Sequence, residues 1–180
     1  MKRTLVFIVC LVFVVHTIHS QIINKVPLSE RTTGYKMDVR LDTDAKTVTG
    51  NMEAFWINRS SDTVPDIRMH LYMNAFRSNR TTFYKESGGS PGEKEMDLGW
   101  IEIRSIRGKN NIDLLPRLEY ISPDDGNRED KTVARIILPE PAKPGDTIFV
   151  RIDFETKLPS KIRRTGYSND YFFIAQWFPK

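Results

Sequence analysis

The chain has 180 residues, which is room for one domain or for one domain and part of a second. Hydrophobic residues make up 39% and charged residues 28% of it, a balance typical of a soluble globular protein with a core. This composition excludes a disordered or collagen-like chain, and the lack of an internal sequence repeat excludes solenoids and propellers.

The first twenty residues predict a signal peptide for export. Lys2 and Arg3 precede an apolar run at residues 5–15, which is too short to span a bilayer because a spanning helix needs about 20 residues. We therefore expect a mature domain of residues 21–180, periplasmic or extracellular, with no transmembrane segment beyond the signal. Without Lys2 and Arg3 the formal charge falls from +4 to +2, which leaves no electrostatic basis for binding nucleic acid.

The mature sequence mostly has the two-residue periodicity of β-strands. Residues 35–41 and 47–57 predict a hairpin, and alternation in the first strand places four apolar side chains on one face: Tyr35, Met37, Val39 and Leu41. A third strand is predicted at residues 67–73, with His70 on the face opposite the apolar residues. Residues 79–86 have helical potential, which ends at the glycines that follow.

The second half of the chain continues this pattern. Strands are predicted at residues 100–106, 133–138, 147–154 and 171–178, with a rigid proline-rich connection at 139–145. Seven or eight strands with at most one short helix predict an all-β fold, a saddle-like or sandwich arrangement of a mixed sheet. The apolar last strand has no closing element after it, so we expect the domain to be incomplete at its C-terminus.

Few residues offer catalytic chemistry. Cys10, His16 and His19 belong to the predicted signal, so the mature domain keeps His70 alone as a histidine and has no cysteine. A disulfide framework, a cysteine nucleophile and a zinc site with two or more His or Cys ligands are excluded. We interpret His70 as a structural or surface residue rather than a metal ligand.

Other polar and aromatic candidates also have ordinary structural interpretations. Asp124 and Asp125 are followed by Gly-Asn, which is typical of a turn rather than of paired catalytic carboxylates or a calcium site. The three tryptophans are candidates for a sugar-binding face: Trp56, Trp100 and Trp177. Tryptophans are, however, more often core or interface residues. A cluster of basic residues predicts a solvated loop; it consists of Lys157, Lys161, Arg163 and Arg164. Two glycosylation sequons occur by sequence, at Asn58 and Asn79.

Several blocks, in order, resemble the N-terminal domain of the M1 family of zinc metallopeptidases, in its exported bacterial branch. The more specific blocks are His-Leu-Tyr-x-Asn-Ala-Phe at residues 70–76 and Gln-Trp-Phe-Pro-Lys at residues 176–180. The other blocks lie at residues 35–42, 46–50, 56–62, 82–83, 99–103, 143–154, 158–159 and 164–166. Together they span about residues 35–180, nearly the whole mature chain.

This resemblance implies a β-saddle that packs on a separate catalytic domain. In the family that domain binds one zinc through His-Glu-x-x-His and a downstream Glu; neither this motif nor Gly-x-Met-Glu-Asn occurs here, so the resemblance implies no catalytic residue, metal ligand or cofactor in this chain. Gln176 matches the Gln that many members place at the edge of the substrate cleft. Phe178 replaces the second Gln or Glu with which aminopeptidase members hold the free amine of the substrate.

Three functional hypotheses follow. The first is the non-catalytic N-terminal domain of an exported zinc metallopeptidase, which contacts a peptide substrate through Gln176 in the complete enzyme. The alternative is a stand-alone secreted β-sandwich that binds carbohydrate or serves in adhesion, through Trp56 or Trp100. A self-contained hydrolase comes third, and it requires two inward-facing carboxylates at roughly 5–9.5 Å.

Overall fold

The computed structural model describes residues 29–88, 97–160 and 165–180. The chain divides into two units, residues 1–31 and 32–180. The first unit is described only at residues 29–31, which are exposed and outside any strand or helix. The predicted signal peptide lies outside the described residues, so export remains a prediction. The fold below is that of the second unit.

Nine strands and one short α-helix make up the described fold, which confirms the all-β prediction. The strands are β1 (Thr33–Asp42), β2 (Thr47–Ile57), β3 (Val64–His70), β4 (Trp100–Arg107), β5 (Leu118–Ile121), β6 (Val133–Ala142), β7 (Thr147–Lys157), β8 (Gly166–Ser168) and β9 (Tyr171–Phe173). The helix is α1 (Thr82–Glu86), and short 3-10 turns lie at Tyr72–Phe76, Lys109–Asn111 and Leu115–Arg117. Among the described residues, no helix is long and apolar enough to cross a bilayer.

The strands form two larger sheets and a small hairpin. A four-stranded sheet has the order β1-β2-β7-β4, a three-stranded sheet has the order β3-β6-β5, and β8 pairs with β9. Each of these pairings is antiparallel, where a mixed sheet was expected. The inner faces of the two larger sheets meet in one apolar cluster, in which Met52, Ile106 and Ile152 of the first sheet and Ile136 of the second are fully buried. The arrangement is a β-sandwich.

The inner face of β1 departs from the sequence prediction. Met37 packs against the core, but Tyr35, Val39 and Leu41 are 44%, 52% and 39% exposed. The reason is topological: β1 is the edge strand of the four-stranded sheet, and the opposing sheet has only three strands. Alternation identified the apolar face correctly, but it does not report whether another sheet covers that face.

Element ends differ from the sequence predictions where tertiary contacts decide them. The third strand ends at His70 and a 3-10 turn follows, so the predicted strand at 67–73 is too long, although Leu71 and Met73 are fully buried as expected. β6 continues to Ala142 through the prolines of the predicted connection, because a register shift against β3 accommodates them. The helix is shorter than expected, and β5 was not predicted.

Two fully buried asparagines tie loops to the sheets. The Asn74 amide donates to the carbonyl oxygen of Lys131 at 2.9 Å, and its Oδ1 accepts from the backbone N–H of Ile101 at 3.0 Å. Asn58 donates to the carbonyl oxygens of Asp62 and Ala142 at 2.8 and 2.9 Å. The Asn58 amide of the first sequon is therefore engaged inside the fold, whereas Asn79 of the second lies half-buried on a turn.

Candidate functional site

Gln176 does not lie on a strand. β9 ends at Phe173, so the predicted strand at residues 171–178 is wrong in its second half, and side-chain alternation does not apply to Gln176. The backbone of Gln176 is left-handed, with φ of 52°, a conformation uncommon for a residue other than glycine. Its side-chain Oε1 accepts a hydrogen bond from Lys180 Nζ at 3.2 Å. The residue is half-buried and oriented by its own loop.

The residues around Gln176 are anchored to both sheets. On one side Trp177 packs against Phe154 with ring centroids 6.0 Å apart, and its carbonyl oxygen accepts from the Thr156 hydroxyl at 2.7 Å. On the other side the backbones of His70 and Lys180 exchange two hydrogen bonds, of 2.6 and 3.3 Å. The sandwich thus holds the loop carrying Gln176 at two positions that follow it, Trp177 and Lys180.

The final apolar run is only partly exposed. Ile174, Trp177 and Phe178 are partly buried and pack against the core. The ring of Phe178 meets Tyr35 at 5.5 Å, so the segment covers part of the inner face of β1. Tyr171 and Phe173 point to the other side of the hairpin and are 62% and 44% exposed.

His70 stands beside this loop. Its ring is half-buried and meets Tyr72 edge to face at 5.7 Å. Burial lowers the pKa of His70, the positive charge of Lys180 acts in the same direction, and Asp130 opposes both. The sequence prediction that His70 faces away from the core side of β3 agrees with this placement, and its chemistry is that of a neutral imidazole near pH 7.

The free energy of unfolding should decrease at acidic pH, because His70 takes up a proton more readily in the unfolded state than in the folded state. Because its folded-state pKa lies below the unfolded value of about 6.5, the unfolded state binds more protons below that pH, and the free energy of unfolding decreases as the pH drops through 6.5. We expect His70→Gln to reduce the difference in stability between pH 7.5 and pH 5, as measured by urea denaturation at both values. An unchanged difference would contradict this assignment.

The β8–β9 hairpin, which leads into the Gln176 loop, is fastened by a polar and aromatic cluster. The Tyr167 hydroxyl donates to the Asp97 carboxylate, and this hydrogen bond raises the pKa of Tyr167 to about 12. The rings of Tyr167 and Phe172 stack at 6.1 Å, and Lys46 Nζ lies 5.0 Å from the centroid of each. Lys46 belongs to the turn between β1 and β2, so this contact joins the first hairpin to the last.

Removing the charge of Lys46 should loosen the last hairpin. Exposed cation–π contacts contribute about 0.5–1 kcal/mol, so Lys46→Met should speed amide exchange in β8 and β9 by about two- to fivefold. Hydrogen exchange followed by NMR measures this at Tyr167 and Phe173. Lys36→Met, on the exposed part of β1, is the matched control and should leave the hairpin unchanged.

The other candidates from the sequence are dispersed. Asp125 accepts from the backbone N–H of Asn127 at 2.9 Å, which is the predicted turn chemistry, and from the Thr82 hydroxyl at 2.6 Å, which is a contact between distant parts of the chain. The Thr82 hydrogen bond, together with that N–H, lowers the pKa of Asp125. In the basic cluster, Lys157 bonds the carbonyl oxygen of Ala45 at 2.8 Å, and the rest of the cluster, at residues 161, 163 and 164, lies outside the described residues.

The tryptophans do not form a shared platform. Trp56 follows the alternation of buried Met52 and therefore lies on the inner face of the four-stranded sheet. Trp100 alternates with buried Ile101 and lies on the outer face, where Arg104 approaches its ring at 5.9 Å. Trp177 lies in the loop that carries Gln176 and packs against the core. A sugar-binding face that uses both Trp56 and Trp100 is incompatible with this geometry.

Sequence reasoning proposed Gln176 as a site residue but did not single out the residues that anchor its loop, Thr156 and His70. His70 occurs in a block quoted for the resemblance, and its place there was the available signal. Within the described ranges, no group of three or more His, Cys, Asp or Glu side chains is arranged to hold a metal ion. Family models and curated proteins were both searched with the sequence, and neither search produced a match.

Proposed function

We propose that this chain is the non-catalytic N-terminal β domain of an exported zinc metallopeptidase of the M1 type. Under this proposal a separate catalytic domain carries the zinc, since the His-Glu-x-x-His motif of the family does not occur in this sequence. The domain described here contributes one polar group, Gln176, to the edge of the cleft that receives a peptide substrate.

One observation carries the proposal: the blocks that resemble the family contact one another around the Gln176 loop. Lys180, in the block at residues 176–180, pairs with His70 of the block at residues 70–76. Trp177 packs on Phe154, which ends the block at residues 143–154. Motifs far apart in sequence thus support the same short segment, as expected if its position serves a function.

The geometry of Gln176 also supports a polar recognition role. A left-handed backbone costs about 1–2 kcal/mol for a residue with a Cβ, and such residues cluster at functional sites. An amide both donates and accepts, which suits the backbone of a bound peptide. Phe178 has a hydrocarbon side chain, which packs against Tyr35 and offers no carboxylate or amide to a substrate amine. We therefore expect no strict requirement for a free N-terminus in the substrate.

The test is to sequence the reading frame beyond codon 180 and to express the complete product. An open frame that reaches His-Glu-x-x-His, with peptidase activity that a chelator abolishes and zinc restores, supports the proposal. A stop codon directly after Lys180, or a complete product without zinc-dependent peptidase activity, contradicts it and favours a stand-alone binding module. Recovery of the mature N-terminus near Gln21 from the exported fraction tests the signal peptide.

A further inference from the structure

Two fully buried threonines bind the backbone on either side of Gln176. Thr156, on the inner face of β7, donates its hydroxyl hydrogen to the carbonyl oxygen of Trp177 at 2.7 Å. Thr165, directly before β8, accepts a hydrogen bond on its hydroxyl oxygen from the backbone N–H of Ala175 at 3.3 Å. The residue before Gln176 and the residue after it are therefore each tied to a threonine side chain.

The hydroxyl of Thr156 lies among apolar residues. Its cross-strand neighbours are Val48 on β2 and Ile101 on β4, and both are buried. Valine is β-branched like threonine and suits a strand equally well, so neither packing nor strand propensity requires a hydroxyl at this position. The contact that does require it is the hydrogen bond to Trp177, because a valine would leave that carbonyl oxygen without its partner.

The two threonines fix both ends of the segment that turns at Gln176. A left-handed backbone at a residue with a Cβ persists only where its surroundings hold it in place. The bonds to Ala175 and Trp177 enclose this residue, and the Thr165 hydroxyl also donates to the carbonyl oxygen of Phe173 at 3.3 Å, which joins the segment to the end of β9. Because the backbone sets the direction of the Cα–Cβ bond, these contacts also set the direction of the Gln176 side chain.

We propose that Thr156 and Thr165 are positioning residues, which hold Gln176 in its left-handed conformation and so fix where its amide lies at the edge of the cleft. Neither threonine touches the substrate. Their role in the reaction rests on the proposed function, whereas the anchoring itself is a property of this chain. A displacement of about 1 Å in a reacting geometry can cost about 100-fold in rate, so loss of these anchors should be visible in the kinetics.

The anchoring is tested in the purified chain by the NMR order parameter of the Gln176 backbone N–H. We expect Thr156→Val to lower it from about 0.85, typical of a rigid backbone, towards the value of about 0.6 below which a backbone is flexible. Thr156→Ser keeps the hydroxyl and should keep the rigid value. Thr165→Val should act in the same direction as Thr156→Val, but less strongly, because its hydrogen bonds are longer.

Thr81→Val is the matched control for the loss of a buried hydroxyl. Thr81 is also fully buried, and its hydroxyl donates to the carbonyl oxygen of Ala75 at 2.7 Å, in the segment between β3 and β4. This variant should lower the melting temperature about as much as Thr156→Val does. It should leave the order parameter of Gln176 unchanged.

In the complete enzyme, Thr156→Val should lower kcat/KM by about tenfold, whereas Thr156→Ser and Thr81→Val should change it by less than about twofold. The same Thr156→Val substitution in a Gln176→Ala background should cause less than about twofold further loss, because Thr156 acts through the Gln176 amide. A threonine that only stabilises the fold would lower kcat/KM by the same factor in both backgrounds. If Thr156→Val does not fold, Thr165→Val is used for both measurements.

Two results would overturn the proposal. An unchanged order parameter in both valine variants would show that the hydroxyls do not hold Gln176, and an equal kinetic loss in both backgrounds would show that Thr156 does not act through it. Neither result affects the proposed function, which is tested by zinc-dependent activity and by Gln176→Ala. A complete product without that activity contradicts the proposed function and removes the kinetic role of the threonines, while the order parameter still decides the anchoring.

Discussion

Replacing Asn74 with alanine is expected to lower the free energy of unfolding by about 2–4 kcal/mol. The substitution leaves the backbone N–H of Ile101 and the carbonyl oxygen of Lys131 without their partner, at a side chain that is fully buried. Each unsatisfied buried polar group costs about 1–3 kcal/mol. Asn74 also joins the turn after β3 to β4 of the opposing sheet, so its loss should affect the whole sandwich rather than one loop.

Urea denaturation measures this effect, and Asn51→Ala is the matched control. Asn51 donates to Asp153 Oδ1 at 2.6 Å, but this bond is exposed on the outer face of the four-stranded sheet. Water can replace it, so the control should change stability by no more than about 0.5 kcal/mol. Equal losses in the two variants would show that burial is not the reason for the effect of Asn74.

If the proposed function holds, Gln176→Ala in the complete enzyme is expected to lower kcat/KM by about 10- to 100-fold, which corresponds to about 1.4–2.7 kcal/mol of transition-state binding. The alanine side chain cannot hydrogen-bond a peptide, while the left-handed backbone and its anchors at Trp177 and Lys180 remain. The melting temperature should therefore change little. Unchanged kinetics in a folded variant would show that Gln176 has a purely structural role.

A glycine at the same position separates activity from stability. Gln176→Gly removes the same amide but tolerates a positive φ, so its melting temperature should not fall even though its kcat/KM does. Asn169, in the turn between β8 and β9, is also left-handed, with φ of 51°. Asn169→Gly relieves the backbone without removing the proposed contact and should leave kcat/KM unchanged. A kinetic loss in both glycine variants would point to loop stiffness rather than to the amide.

Local sequence patterns were sufficient for the long strands of the four-stranded sheet. The alternation in β1, β2, β4 and β7 and the turn residues between the first two predicted these strands to within a few residues, because alternation reflects a sheet with one apolar face. The same reasoning placed Asp125 in a turn. These features depend on neighbouring residues, which the sequence contains directly.

Contacts between residues distant in sequence decided the features that the local patterns did not predict. The end of β3, the continuation of β6 and the left-handed Gln176 depend on partners 20 to more than 100 residues away, and no local period encodes such partners. The exposure of Val39 and Leu41 depends on how many strands the opposite sheet has. By itself the sequence determined the all-β class and the polar residue most worth testing. Only the tertiary structure decided which apolar faces are covered and in which order the strands pair, because burial and pairing depend on what the rest of the chain places opposite each strand.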